Sequence, residues 1–171
     1  KTLAATQHGI QSSMISPNDG AENRYSSKTL ESLISRIFEP SGWLQTALDL
    51  EHRPQQAQMA RAVCKSMSKD SPFIFEAGTG VGKSLAYLIP GIIHSSESKR
   101  PCIVSSNTIS LQEQIEENDL AICRRLFEAI PELEPYAEFS SVVLVGKGNY
   151  LCPTRLANAI TNKTELFPNE E

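Results

Sequence analysis

The sequence holds no run of about 18 apolar residues, so no helix is expected to cross a membrane. No charged-then-apolar leader opens it, and the expectation is a cytoplasmic monomer with no membrane partner. Cysteine is sparse: Cys64, Cys102, Cys123 and Cys152 stand far apart with no C-x-x-C pair. That spacing excludes a disulfide framework and a complete metal site. The histidines His8, His52 and His94 share no spacing and receive no catalytic role. Positive charge is also short. A net charge of -4 excludes a histone-like nucleic-acid binder, although a local basic strip remains compatible with it.

What is present fits one ordinary soluble core: 171 residues, 40% hydrophobic and 21% charged. Residues 1–25 are rich in Ser, Asn and Gln without periodicity and read as a disordered tail or linker. Leu30, Leu33, Ile34, Ile37 and Phe38 then make one helical face over 27–39, with Ser26 or Ser27 as cap and Pro40 and Gly42 as stop. Trp43 is expected to tuck against the domain. Pro54 opens a second helix whose inward stripe is Met59, Ala60, Val63 and Met67. From Phe73 the pattern alternates: strand 73–76, helix 83–94, strand 102–105, helices 109–118 and 120–129, strand 142–145. The strand segments lack polar alternation, which predicts a parallel sheet buried on both faces by helices, an α/β fold. Pro90 is expected to kink or end its helix early. A short helical segment, 153–162, precedes a polar end.

The strongest signal is FIFEAGTGVGKS, residues 73–84. A strand leads into Ala77, Gly78, Thr79, Gly80, Val81 and Gly82, and Lys83 and Ser84 open a helix. Glycines tolerate positive φ, so the backbone N–H groups can turn inward around an anion. The helix start adds unpaired N–H groups and the positive end of its dipole. Lys83 can reach the β- and γ-phosphates of a nucleoside triphosphate while Ser84 ligates Mg²⁺. Ala77 replaces the usual first glycine and is small enough for the same approach. Such a pattern arises by accident in roughly 1% of chains this size, so a P-loop is the better reading than a glycine-rich surface turn. A hydrolase of this type also needs an acid at the end of a later strand. Asp19, Asp49, Asp70 and Asp119 do not occupy such a place. The chain therefore reads as the N-terminal portion of a larger protein, inactive by itself.

Three further segments narrow the choice: Arg53-Pro54-Gln55-Gln56 ahead of the loop, Thr108 to Gln114 after the second strand, and Val145 to Cys152 after the third. With them the chain resembles the DinG/XPD family of superfamily 2 DNA helicases, in its bacterial DinG-like branch, over roughly residues 44–160. The resemblance implies two RecA-like domains, the first interrupted by iron–sulfur and arch insertions. It also implies ATP hydrolysis with Mg²⁺, 5′→3′ translocation on single-stranded DNA, unwinding of forked duplex DNA, and a part in DNA repair. Glu76 through Ser84 match helicase motif I. Ser105, Ser106, Thr108, Leu111 and Gln114 match motif Ia, with Asn107 among them, and imply DNA contact. Cys152 matches the first of four cysteines that hold a [4Fe–4S] cluster, although the stretch before it is compressed relative to the family's spelling. The implied layout is residues 26–146 as the N-terminal part of the first motor domain and 147–171 as the start of the cluster insertion.

The residue chemistry stands beside this. The Gln56 amide can pair with the adenine edge, and the Arg53 guanidinium can lie on the ring or brace the loop; both can also be a solvated helix start. Ligands bind beyond the C-terminal ends of parallel strands, which brings Ser106, Asn107 and Thr108 to the working edge. Their short polar side chains and the next helix's N–H groups can grip DNA phosphates, or Thr108 can simply cap that helix. Cys152 followed by Pro153 fits a cluster thiolate or a buried free thiol. Two other classes compete with a helicase: a self-contained P-loop kinase acting on a small metabolite, and a non-enzymatic nucleotide-dependent DNA-binding module.

Overall fold

The computed structural model describes residues 27–161. The expected tail, the Ser26 cap and the polar end fall outside the described residues. Helix α1 (Ser27–Phe38) buries Leu30, Leu33, Ile34, Ile37 and Phe38, the face read from their spacing. A short helix not foreseen in the sequence, α2 (Trp43–Leu48), follows Gly42 and buries Leu44. Trp43 packs against the core while the Arg36 guanidinium lies 4.0 Å from its ring centre. Helix α3 (Pro54–Lys69) starts on its proline and buries Gln56, Ala57, Ala60, Val63 and Cys64. Met59 and Met67 sit at the border of that stripe instead of within it. The small residues Ala57 and Ala60 let α3 lie close along α4, and α1 packs on its other side.

Helix α4 (Lys83–Ser98) continues past Pro90. The expected early stop does not occur. Pro90 is fully buried between Ile89 and Ile93, and that apolar burial offsets the missing N–H, which costs about 3 kcal/mol in a helix interior. The next two predicted helices are one continuous run: α5 (Ile109–Gln114), a π turn (Ile115–Asp119) and α6 (Leu120–Ala129). A π turn takes up an extra residue and so rotates the helix face that follows it. Exposed α5 thereby passes into α6, which buries Leu120, Cys123, Leu126 and Phe127. Phe127 meets Tyr136 and Phe139 edge to face, each at 6.2 Å between ring centres. The Tyr136 hydroxyl donates to Glu97 at 2.8 Å and ties the turn after α6 to the end of α4.

The predicted parallel sheet is not formed among the described residues, where 73–76, 102–105 and 142–145 hold no strand. Nor are they buried, with Ile74 100% exposed, Ile103 88% and Val142 82%. An extended segment cannot satisfy its own N–H and C=O groups and becomes a strand only against a neighbour in register. Helix α7 (Pro153–Thr161) forms as expected but buries nothing.

The cysteines divide accordingly. Cys64 and Cys123 are fully buried, whereas Cys102, at the start of the predicted strand 102–105, is exposed, with its Sγ lying against the backbone of Gly91. Burial, helped by the charge of Glu31, pushes the Cys64 thiol up to about 11, and burial with Asp119 pushes Cys123 up to about 12. Raised values keep both thiols protonated and unreactive near neutrality. In the metal-free chain at pH 8, a thiol reagent should modify exposed Cys152 first and reach Cys64 and Cys123 only in denaturant. Mass spectrometry of the labelled chain checks the order, and early labelling of Cys123 would contradict the packing of α6.

Candidate nucleotide site

The loop between residue 77 and α4 has the shape its sequence requires. Gly80 and Gly82 adopt φ of 77° and 76°, where only glycine sits without strain. Gly82 is the cap of α4, and Lys83 and Ser84 begin the helix. The Lys83 ammonium folds back over the loop and donates to the Ala77 carbonyl at 3.2 Å and to that of Gly78. No neighbouring atom lies within 4 Å of where a side chain on Gly78 or Gly80 would start, so the mouth of the loop is open. An ammonium, a hydroxyl and free helix-start N–H groups around open space form a donor set suited to phosphate.

Arg53 and Gln56 reach this loop from α3. Arg53 Nη1 donates to the Gly80 carbonyl, and Gln56 Nε2 donates to the Gly82 carbonyl at 2.9 Å. Of the two roles open to Arg53, bracing the loop is the one this geometry displays. Gln56 is buried, and its bond to Gly82 satisfies an amide that would otherwise be stranded. Thr79 is exposed and Val81 half-buried.

Ser84 is half-buried and lies one turn before Tyr87 on the same face of α4. Burial raises the Tyr87 phenol, the Ser84 hydroxyl works against this, and the charge of Asp119 raises it further. Sequence reasoning missed Tyr87, although its i+3 spacing from Ser84 was available, and it set Asp119 aside. Asp119 is buried with its Oδ2 lacking any hydrogen-bond partner. Such an oxygen costs about 1–3 kcal/mol.

The second cluster of candidates is separate from the loop. Thr108 accepts from the Leu111 N–H at 3.3 Å and caps α5, while Ser106 donates to the Thr108 carbonyl at 3.1 Å. Asn107 and Gln114 are exposed on either side of that helix. Cys152 is exposed just before α7. Among the described residues no group of three His, Cys, Asp or Glu side chains could hold a metal, so the described residues do not by themselves fit a four-thiolate cluster.

Residues 53–135 match the DEAD/DEAH box helicase family. Over 128 residues the chain is 38% identical to the ATP-dependent helicase DinG of Mycobacterium tuberculosis (strain ATCC 25618 / H37Rv), covering 73% of this chain and 18% of the relative. Over 136 residues it is 38% identical to the ATP-dependent DNA helicase DinG of Escherichia coli (strain K12), covering 72% of this chain and 18% of that relative. Over these stretches the sequence is DinG-like. It spans under a fifth of the length of these relatives, 18% in each case. No solved structure matches it. The stretch that matches the DEAD/DEAH box helicase family contains the loop and both brace residues. Among the described residues no helix is long and apolar enough to cross a membrane.

Gly82 is the position on which the DinG-like loop and its brace both depend. A side chain there would strike the Gln56 amide, at a φ that already disfavours it. Gly82→Ala should therefore destabilise the chain by about 1–3 kcal/mol, whereas Gly78→Ala, which meets open space, should change it by under about 0.5 kcal/mol. Chemical denaturation of the two variants checks the contrast, and equal stabilities would contradict the loop geometry.

Proposed function

We propose that this chain supplies the nucleotide-binding part of an ATP-dependent DNA helicase that moves 5′→3′ along single-stranded DNA and opens forked duplexes. The observation that carries the reading is the braced loop. Two glycines at positive φ, the start of α4, Lys83, Arg53 and Gln56 converge on one open loop. The similarity to DinG helicases supports the same reading.

In this proposal the helix-start N–H groups and Lys83 hold the β- and γ-phosphates, with Lys83 exchanging its two carbonyl partners for phosphate oxygens. Ala77, Gly78, Thr79, Gly80, Val81 and Gly82 wrap the phosphates through their backbone, and Ser84 is the Mg²⁺ ligand. Bound Mg²⁺ would neutralise charge developing between the β- and γ-phosphates. Gln56 directs its remaining amide capacity to the adenine edge, and Arg53 keeps the loop in its open curve. Ser106, Asn107, Thr108 and Gln114 contact the DNA backbone, where uncharged donors and helix-start N–H groups suffice. Residues 73–76, 102–105 and 142–145 become strands of a RecA-like sheet in the whole protein, where partners cover their exposed apolar side chains. The work is that of a monomer in the cytoplasm, in DNA repair.

Lys83→Ala tests the loop directly. An ammonium facing several phosphate charges has no local substitute, so magnesium–ATP binding should fall at least about tenfold. Calorimetric titration of both forms gives the answer, and equal affinities would remove the phosphate-loop assignment. Turnover by the 171-residue chain alone at about 1 per second, lost in K83A, would instead favour a self-contained kinase or hydrolase.

Cys152 belongs, in the same proposal, to a [4Fe–4S] cluster of the full-length protein. Tyr150, Leu151, Leu156 and Ile160 are all exposed, and α7 buries nothing. A segment with so little core needs another source of order, and a metal cluster is the one a reducing compartment permits. Cys152→Ser in anaerobically purified full-length protein should lower iron content and unwinding while ATP binding survives. A full iron complement in C152S would make Cys152 a structural thiol.

A further inference from the structure

Helix α3 has an outward face that the proposed nucleotide site does not use. The helix carries three cations, Arg61, Lys65 and Lys69, and no acid, in a chain of net charge -4. With Gln58 they fall within about 80° of arc and form one row about 16 Å long. All four residues are exposed. Lys69 lies in the last turn, where the helix dipole alone accounts for a cation. Arg61 and Lys65 stand further in, beyond that effect. Lys65 and Lys69 enter no ion pair among the described residues, and Arg61 commits only Nη1, to Glu39 at 3.2 Å. An exposed pair of this kind is weak, and the guanidinium keeps further N–H groups for another acceptor. The row also borders a groove. Between α1 and α3 lies an open cleft of about 340 Å³, walled by Arg61 and Lys65 on one side and Glu31 and Ser35 on the other, with fully buried Ile34 and Cys64 as its floor.

We propose that this face of α3, with the cleft beside it, is a second contact for the sugar–phosphate backbone of single-stranded DNA, in addition to Ser106, Asn107, Thr108 and Gln114. This rests on the reading of the chain as part of a DNA helicase. The spacing points to a polyanion. Arg61, Lys65 and Lys69 follow one another at about 6 Å, close to two nucleotides of a stacked strand at about 3.4 Å each. A lone phosphate would call for donors converging on one point, as they do at Lys83 and the start of α4. The row holds no exposed large apolar side chain, which a membrane surface or a protein partner would require. Its groups donate to phosphate oxygens, with Gln58 as the neutral member, so they add affinity without reading bases. Glu31 and Glu39 on α1, and Asp70 after α3, oppose the strand and keep its hold loose, which suits a strand that must slide. Lys69 lies about 24 Å along the helix from Arg53, so the contact is independent of the nucleotide loop.

Fluorescence anisotropy of the full-length protein with a labelled oligothymidylate, over a series of salt concentrations, tests this. Each phosphate contact adds about 0.7 to the slope of log affinity against log salt on a single strand. Lys65→Gln combined with Lys69→Gln should therefore flatten the slope by about 1.4 and weaken binding at low salt at least about fivefold. Lys65→Arg combined with Lys69→Arg, which keeps both charges, should retain the wild-type slope. Arg125→Gln, an exposed cation on α6, which packs on α2 and α4, should leave the slope unchanged. Glutamine is a good helix former, and melting temperatures together with an unchanged magnesium–ATP affinity establish that α3 and the loop are intact. An unchanged slope in the glutamine double variant, or an equal flattening in Arg125→Gln, overturns the α3 contact alone. Failure of wild type to bind the oligothymidylate overturns the helicase reading and the α3 contact with it.

Discussion

The packing of α3 along α4 is the contact on which the rest depends. Helix α4 begins at the loop, and α3 begins at the two residues that hold the loop. Ala57 and Ala60 bring the helices close, while Leu85, Ala86, Leu88, Ile89 and Ile93 form the surface they share with α1 and α6. Each buried aliphatic side chain contributes about 1.5–3 kcal/mol, far more than the loop's own hydrogen bonds supply. The helices therefore set the loop, and the loop does not set the helices. At Gly82 the Gln56 amide leaves no room for a Cβ.

That arrangement explains how a site rich in donors can be ordered before any ligand arrives. Lys83 is paired with carbonyls of residues 77 and 78, and Gln56 and Arg53 occupy those of 82 and 80. The carbonyls thus point at cations and amides on the protein side and leave the N–H side of the loop open. A phosphate entering there meets donors already oriented, which is the preorganisation that electrostatic stabilisation requires.

The helical core and the extended segments behave differently for one reason. An α-helix closes its hydrogen bonds within a few residues, so α1, α3, α4 and α6 need only each other's apolar faces. Residues 73–76, 102–105 and 142–145 carry strand-like composition, yet their backbone groups need partners in register. Composition alone could not say whether those partners are at hand. The exposure of Ile74, Ile103 and Val142 is the consequence. Pro90 shows the opposite case, a local breaker overruled because its ring fills a buried position.

By itself the sequence determined the loop, the residues that open α4, and the buried face of α1. All are short-range patterns in which spacing equals geometry. It also brought Arg53 and Gln56 forward as partners of the loop, though not as donors to its carbonyls. The rest was decided by tertiary structure. The Gln56–Gly82 bond joins residues 26 apart and exists only because α3 lies on α4. The burial of Asp119 depends on a π turn that no hydrophobic period announces, since the extra residue shifts the face without changing the composition. Local chemistry specifies which groups a segment offers; which of them meet depends on contacts between segments distant in the chain.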